Sequence, residues 1–284
     1  MSSWSILYRG PLSSCNYSCS YCPFAKTKNT RAELADDAER LGRFVDWVGT
    51  RQEQIGILFT PWGEGLIRKA YQQAMTQLSH LSNVRRVSIQ TNLSGSLTWM
   101  KHVNKERFAL WTTFHPSQIS IQDFVARCQE LEAMDIRYSV GFVALKEDLP
   151  YLEQLREQLP THRYLWANAY KRVEHYYTPE EIKQIEQIDP LFSYNNQYHP
   201  SLGAACQAGH TAFTIDGAGD VRRCHFIGDV LGNIYQEDIK TVLQPRTCTN
   251  ASCGCYIGYV HLDKLKLYDT YQQGVLERIP PPFR

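Results

Sequence analysis

Short apolar runs alternate with helical patterns through the first two thirds of the chain. Six runs rich in β-branched and aromatic residues predict strands at Ile6–Arg9, Ile55–Thr60, Val84–Thr91, Ala109–Thr113, Tyr138–Val143 and Tyr164–Ala169. Between them, apolar residues recur at steps of three and four and predict helices. Two such sets are Leu34, Ala38, Leu41, Val45 and Val48, and Ile121, Val125, Cys128 and Leu131. The alternation predicts an α/β fold of six βα units around a parallel sheet or barrel.

The pattern changes after the helix that begins at "TPEE", Thr178–Glu181. This stretch has an N-cap threonine, a proline at the first helical position and a glutamate at the capping-box position. From about Leu191 onward, short strands and turn signals replace the βα units, and "IDGAGDV" predicts a hairpin with Asp-Gly at its turn. We therefore expect two domains, 1–190 and 191–284, packed together without a low-complexity linker. The terminal "IPPPFR" cannot extend a helix and is expected to be loose.

Three cysteines lie close together in "LSSCNYSCSYCPF", on the loop that follows the first predicted strand. Active-site residues of βα folds collect on such loops. The spacing of Cys15, Cys19 and Cys22 lets three thiolates reach one metal centre. Zinc usually takes four ligands with paired C-x2-C spacing, and a bacterial ferredoxin loop has tighter spacing and a fourth cysteine. A thioredoxin-like interpretation leaves Cys15 unexplained. A [4Fe–4S] cluster held by three cysteines would keep one iron open for a small molecule.

The stretch "CNYSCSYC", including Tyr21 before the third cysteine, resembles the signature of the radical S-adenosylmethionine (SAM) enzymes. The resemblance implies a partial (β/α)6 TIM-like barrel, in agreement with the six units counted above. It also implies that SAM binds the open iron of a [4Fe–4S] cluster. Reductive cleavage of SAM would then give a 5′-deoxyadenosyl radical, which removes a hydrogen atom from the substrate.

Weaker matches to elements of this family lie after the later predicted strands. "PWGEG" resembles the family's Gly-Gly-Glu element, although Trp62 replaces the first glycine. The resemblance implies SAM-binding roles for Tyr21, Gly63, Glu64, Thr91, Asn92, His115 and Asn168. Each has an ordinary structural alternative: a βα turn, a satisfied strand end or a hydrogen-bonded loop histidine.

Five further cysteines lie in the last third of the chain: Cys206, Cys224, Cys248, Cys253 and Cys255. "CQAGHTAFTIDGAGDVRRC" resembles the opening of SPASM/twitch auxiliary-cluster domains, and "CTNASCGC" would close the site. The resemblance implies one auxiliary [4Fe–4S] cluster. We favour Cys206, Cys224, Cys253 and Cys255 as its ligands, with the role of Cys248 open. Two alternatives are an auxiliary cluster with an open fourth position that takes the substrate as ligand, and a structural four-cysteine zinc site. Cys128 lies on the apolar face of a helix and is expected in the core.

Composition and charge restrict the classes of binding partner that the chain can have. The 284 residues are 43% hydrophobic and 21% charged, with a net charge of +1, so no global basic field attracts nucleic acid or an anionic membrane. No apolar run is long enough to span a membrane, and the N-terminus lacks a signal-peptide pattern. We expect a cytoplasmic protein, in which nine reduced cysteines serve as ligands or core residues.

The resulting hypothesis is a radical SAM oxidoreductase that makes an oxidative change, a dehydrogenation or a new bond, in a small molecule. The first strand starts almost at Met1, which leaves no room for a leader-binding extension and disfavours a peptide substrate. Modification of a ribosomal peptide or protein is one alternative; a non-catalytic iron–sulfur electron carrier or zinc-stapled binding module is another. A flavodoxin or ferredoxin-type donor would reduce the cluster. "LYRGPLSSC" and "CGCYIGYVH" also resemble a bacterial subgroup of these proteins.

Overall fold

A computed structural model describes residues 3–283 of the chain. Six parallel strands follow chain order in one sheet: β1 (Ser3–Arg9), β2 (Gln54–Phe59), β3 (Val84–Thr91), β4 (Phe108–Phe114), β5 (Arg137–Ala144) and β6 (Leu165–Ala169). The helices between and after them are α1 (Arg31–Gly49), α2 (Lys69–His80), α3 (Ile121–Ala133), α4 (Leu149–Gln158) and α5 (Pro179–Ile188). Each strand pairs in parallel with the next, so the six predicted parallel strands are confirmed. Between β3 and β4 a short 3-10 helix, Thr98–His102, stands in place of an α-helix.

The strand residues alternate between two apolar clusters. Tyr8 and Phe59 pack beneath the helices against Phe44 of α1, whereas Leu7 and Leu58 point to the other face of the sheet. Side chains of a strand alternate between faces, so both faces of a parallel sheet must be apolar when both are covered. The second face is the interior of the partial barrel, and residues from the C-terminal third fill it.

Local sequence fixes the helix starts. Thr30 and Glu33 form a reciprocal capping box at α1, and Thr178 and Glu181 form the one predicted at α5. The Ser120 hydroxyl accepts from Asp123 N at the start of α3. These contacts satisfy backbone donors that a helix N-terminus otherwise leaves open.

The C-terminal third continues the same sheet beyond β1. Its elements are α6 (Phe192–Asn195), β7 (His199–Pro200), β8 (Ala205–Cys206), β9 (Ala212–Asp216), β10 (Asp220–Arg222), β11 (Val230–Asn233), β12 (Arg246–Thr247), β13 (Ser252–Cys253), α7 (Tyr256–Tyr259) and α8 (Leu267–Tyr271). Strand β9 pairs in parallel with β1, and β10 folds back on β9 as the predicted hairpin. The domain boundary near residue 190 stays a prediction. In the described part of the chain, no helix is long and apolar enough to cross a membrane.

The prediction of a loose tail is wrong for residues 279–283. Ile279 is fully buried, and the Phe283 ring lies 5.1 Å from that of Tyr164. Just before them, the buried Glu277 carboxylate pairs with Arg86 at 3.0 Å, and the Ser139 hydroxyl donates to the Glu277 carbonyl at 2.8 Å. Three consecutive prolines prevent an α-helix but not burial, and Pro281–Phe283 form a short 3-10 helix. Tertiary contacts therefore anchor the tail across the barrel interior.

Candidate active site

One cavity of about 300 Å³ opens where the parallel strands end. The predicted residues that line it are Cys15, Cys19, Cys22, Gly63, Glu64, Thr91, Asn92, His115 and Asn168. They come from the loops or ends of five different strands, which meet at one edge of a parallel sheet. A larger depression of about 700 Å³ lies around Ser3, Arg85 and Tyr268, and no cysteine lines it. The candidate chemistry is therefore gathered in the smaller cavity.

The cysteine loop is held in place by its own backbone and by a neighbouring loop. Cys22 N donates to the Cys19 carbonyl at 3.2 Å, and Lys26 Nζ donates to the same oxygen at 3.0 Å. Burial raises the pKa of the Cys15 and Cys19 thiols, so both are protonated at neutral pH without a metal. Within residues 3–283, no three His, Cys, Asp or Glu side chains already stand at metal-binding distance. A metal would displace these protons and draw the thiolates together.

The turn after β2 packs directly on this loop. Gly63 N donates to the Leu12 carbonyl at 3.3 Å, and Glu64 N donates to the Ser14 carbonyl at 3.1 Å. A Cβ on Gly63 would lie 2.0 Å from that Ser14 oxygen. Only glycine allows so close a backbone approach, and this is the physical reason for Gly63.

The Glu64 carboxylate connects the ends of β2 and β3. Its Oε1 accepts from Leu66 N and from the Thr91 hydroxyl, both at 2.8 Å, and its Oε2 accepts from Asn92 N at 2.7 Å. Burial raises the pKa of Glu64 to about 7, although these donors oppose the shift. The carboxylate thus accepts hydrogen bonds from the protein's own donors, and it positions Thr91 and Asn92.

Asn92 reaches the cysteine loop from the end of β3. Its Nδ2 lies 3.6 Å from Cys15 Sγ and donates to Asn16 Oδ1 at 3.2 Å. An amide N–H aimed at a sulfur stabilises thiolate character there. Glu64, which fixes the Asn92 backbone, therefore also sets the surroundings of Cys15.

His115 lies on the loop after β4, against the cysteine loop. The Tyr21 hydroxyl lies 2.5 Å from His115 Nδ1, and the two rings are stacked with centroids 5.9 Å apart. Burial lowers the pKa of His115 to about 4, so the imidazole is neutral at physiological pH. Tyr21 does not line the cavity but orients a residue that does.

Four C-terminal cysteines approach one another through short strand pairs. Pairing of β12 with β8 brings Cys248 beside Cys206, with Cys248 N donating to the Ala204 carbonyl at 2.8 Å. Burial, with a smaller contribution from the Cys248 and Cys224 thiols, raises the pKa of Cys206 to about 11. Burial and neighbouring thiols, Cys224 first among them, raise that of Cys253 to about 12. We call Cys206, Cys224, Cys248 and Cys253 the C-terminal thiol group; Cys255 also contributes to the shift at Cys253.

Arg223 supports an anionic centre in this group. Its side chain is only 6% exposed; Nε donates to the Ala208 carbonyl at 3.3 Å and Nη1 to the Thr247 carbonyl at 2.5 Å. Its buried Nη2 finds no hydrogen-bond partner within residues 3–283. A buried cationic donor without a partner is costly, and thiolates bound to a metal would compensate it.

Cys255 adjoins the C-terminal thiol group through Cys253 and also belongs to the cavity. Its side chain lines the cavity described above and is reached by solvent through that cavity. Burial raises the pKa of its thiol, and the nearby cations Lys171, Arg278 and Arg9 partly oppose that shift. The ligand set favoured from the sequence included Cys255 and left Cys248 open. Both thiols contribute to the pKa shift of Cys253, and the ligand set stays a prediction. Cys128 is buried in α3, as expected.

The residues of the cavity floor were not predicted from the sequence. Trp111, Trp166, Tyr256 and Arg278 all line it, and a Cβ on Gly141 would lie 1.9 Å from the Trp166 indole. The inward positions of β4 and β6 could have indicated the two tryptophans. Arg278 belongs to the tail that was expected to be loose, so no local signal placed it here.

Comparisons with known proteins show the fold. No family model and no curated protein matches the chain. Native anSMEcpe, an anaerobic sulfatase-maturating radical SAM enzyme, solved with bound AdoMet and Kp18Cys peptide, is 15% identical, covers 86% of this chain and 81% of its own, and has a TM-score of 0.56. Native anSMEcpe with bound AdoMet is 14% identical over 84% and 83%, with a TM-score of 0.50. BtrN in complex with AdoMet and 2-DOIA is 16% identical over 86% and 83%, but its TM-score of 0.37 is too low to support an inference.

The fold is thus similar to that of anSMEcpe, a radical SAM enzyme, as the resemblance in the sequence led us to expect. At these identities the comparison shows the fold and leaves substrate and reaction to be argued from the site.

The contact of Gly63 with Ser14 predicts opposite effects for two Gly→Ala substitutions. Gly63→Ala should lower the free energy of unfolding by about 1–3 kcal/mol, because its Cβ overpacks a backbone oxygen. The matched control is Gly42→Ala in α1, where a Cβ meets nothing within 4 Å. It should raise the free energy of unfolding by about 0.5–1 kcal/mol through helix propensity. Urea denaturation measures both, and two stabilising changes would contradict the contact.

Proposed function

We propose that this chain is a radical SAM enzyme whose Cys15, Cys19 and Cys22 hold a [4Fe–4S] cluster with one iron open to SAM. The observation that carries the proposal is that the three thiols line one cavity together with Glu64, Asn92, His115 and Asn168. The donor set fits the group: three thiols from one loop, and no fourth cysteine on that loop. When bound, this cluster with SAM supplies a 5′-deoxyadenosyl radical that removes a hydrogen atom from the substrate.

The protein's own residues hold this site together. Gly63 lets the second turn pack against the cysteine loop, and Glu64 fixes the backbone of Asn92. Asn92 then presents its amide to Cys15. Tyr21 holds His115, which stays neutral because it is buried. We propose that Gly63, Glu64, Thr91, Asn92, His115 and Asn168 form the walls against which SAM binds.

We further propose that Cys206, Cys224, Cys248 and Cys253 hold one auxiliary [4Fe–4S] cluster, the twitch arrangement. The unpartnered Arg223 Nη2 supports an anionic centre there. An auxiliary cluster can accept an electron, so an oxidative outcome follows: dehydrogenation or bond formation. A structural zinc ion at the same four thiols is the alternative, and metal analysis separates the two.

The size of the cavity supports a small substrate. Its volume of about 300 Å³ is at the low end for small-molecule sites, and SAM must share it. A small molecule is our first candidate. Modification of one side chain of a peptide or protein is the second, because anSMEcpe, the neighbour with the TM-score of 0.56, was solved with a bound peptide.

The proposed partners follow from the proposed chemistry. A flavodoxin or ferredoxin-type protein would supply the electron that the first cluster needs. All nine cysteines are free thiols, which suits a reducing compartment such as the cytoplasm.

Metal content tests the two-cluster proposal. Anaerobically reconstituted protein should contain about eight irons, and the Cys15/Cys19/Cys22→Ala triple variant about four, because each [4Fe–4S] cluster carries four. Iron, sulfide and zinc are measured together. If the triple variant contains as much iron as the wild-type protein, the first cluster is contradicted. If the variant retains zinc but no iron, the second cluster is contradicted.

Single cysteine variants test the ligand assignment in the C-terminal third. Cys248→Ala should lose about four irons, because it removes a ligand of the C-terminal thiol group. Cys255→Ala, the matched control only seven residues away, should keep the wild-type iron content. Retention of iron by the first variant and its loss from the second would reverse the assignment.

A further inference from the structure

The floor of the cavity holds a buried cation. Arg278 is 1% exposed, and its guanidinium Cζ lies 4.2 Å from the centroid of the Trp166 ring, 4.5 Å from that of Tyr256 and 5.8 Å from that of Trp111. Aromatic faces attract a desolvated guanidinium, so these rings hold the group in place. The same side chain lines the cavity, with Cys255 next to Tyr256 on the wall.

The backbone is strained to put Arg278 there. Its φ is +55°, in the left-handed region that non-glycine residues rarely adopt. The ion pair of Glu277 with Arg86 and the bond from Ser139 to the Glu277 carbonyl fix the segment from below. Strain held by surrounding contacts is a reason to look for function at the residue concerned.

Within residues 3–283 the buried Asp189 carboxylate acts electrostatically on this cation without forming a direct ion pair with it. In residues 3–283 no carboxylate lies within 4.0 Å of Arg278, and its buried Nε has no hydrogen-bond partner. The Tyr271 hydroxyl accepts from another part of the guanidinium. The nearby Asp189 already accepts from the Tyr164 hydroxyl at 2.5 Å and from Ala167 N at 2.9 Å. A buried charge normally requires a partner, and an oxyanion accepts from a guanidinium in bidentate geometry.

The floor lies deeper than the residues proposed to bind SAM. Trp111 precedes Thr113 by two positions on β4, and Trp166 precedes Asn168 by two positions on β6. Two residues of a strand span about 6–7 Å on the same face. Arg278 packs on the two tryptophans, so it faces whatever enters beneath Asn168 and His115.

We propose that Arg278, with Cys255 beside it, forms a subsite for an oxyanion of the substrate, a carboxylate or a phosphate. The proposal rests on the proposed function, since it takes the cavity to be the substrate site. It narrows the substrate class to an anionic molecule whose charged end enters first.

Cys255 is a reporter for this subsite. The holoprotein, with its ligand cysteines protected by their clusters, is treated with iodoacetate or with iodoacetamide, and labelling of the Cys255 peptide is followed by mass spectrometry. The two reagents attack the same thiolate and differ in carrying a carboxylate or a neutral amide. Because both rates are proportional to the same fraction of thiolate, their ratio does not change with the ionisation of the thiol.

We expect this ratio at Cys255 to exceed that for free cysteine and to fall about tenfold in Arg278→Gln, the effect of losing one charge-assisted hydrogen bond. Arg278→Lys should give an intermediate ratio. The matched control is Arg137→Gln, which alters a residue 3.8 Å from Glu277 but outside the cavity and should leave the ratio unchanged.

A competition experiment with anions uses the wild-type protein and so does not depend on the folding of a variant. Malonate or inorganic phosphate, at equal ionic strength, should slow the iodoacetate reaction, and the more effective anion identifies the group. Protection by neither anion, a wild-type ratio no higher than that of free cysteine, or an unreactive Cys255 would overturn the subsite. The labelling ratio does not depend on SAM cleavage. A protein with normal iron content but without the expected labelling ratio would therefore overturn the subsite alone. Missing iron would count against the proposed function instead.

Discussion

The site depends on one backbone contact, the packing of the turn after β2 against the cysteine loop after β1. Gly63 meets the carbonyl of Ser14 so closely that no side chain fits between them. Glu64, next in the chain, carries the constraint to β3 through Asn92, and Asn92 returns it to Cys15. Three strand ends are thereby fixed relative to one thiol before any metal binds. Such preorganisation is what a reactive centre requires of its surroundings.

A second constraint closes the barrel from inside. The Glu277–Arg86 pair is almost fully buried, and the desolvation of a buried ion pair offsets much of its attraction. Its clearer role is positional, since it directs the following Arg278 onto the tryptophans of β4 and β6. The tail thus links the far ends of the strands to the floor of the cavity. Stability and the shape of the site are set by the same few contacts.

Local signals predicted most of the fold, and long-range contacts account for what they missed. The strands and the capping box at Thr178 were predictable because alternation and capping depend on near neighbours. The cavity residues from Cys15 to Asn168 were expected from the family resemblance together with their place at strand ends. The grouping of Cys248 with Cys206 was not predictable, because a short strand pair joins residues about forty positions apart. The burial of the tail was not predicted, because its prolines restrict the local backbone but do not indicate tertiary contacts.

The central claim is that SAM binds the open iron of a cluster held by Cys15, Cys19 and Cys22. Electron paramagnetic resonance of the reduced, reconstituted protein tests it most directly, since direct ligation changes the spectrum of the cluster concerned. The account predicts that added SAM alters the signal of wild-type protein and leaves the auxiliary signal of the Cys15/Cys19/Cys22→Ala variant unchanged. A wild-type spectrum that is identical with and without SAM would contradict the account.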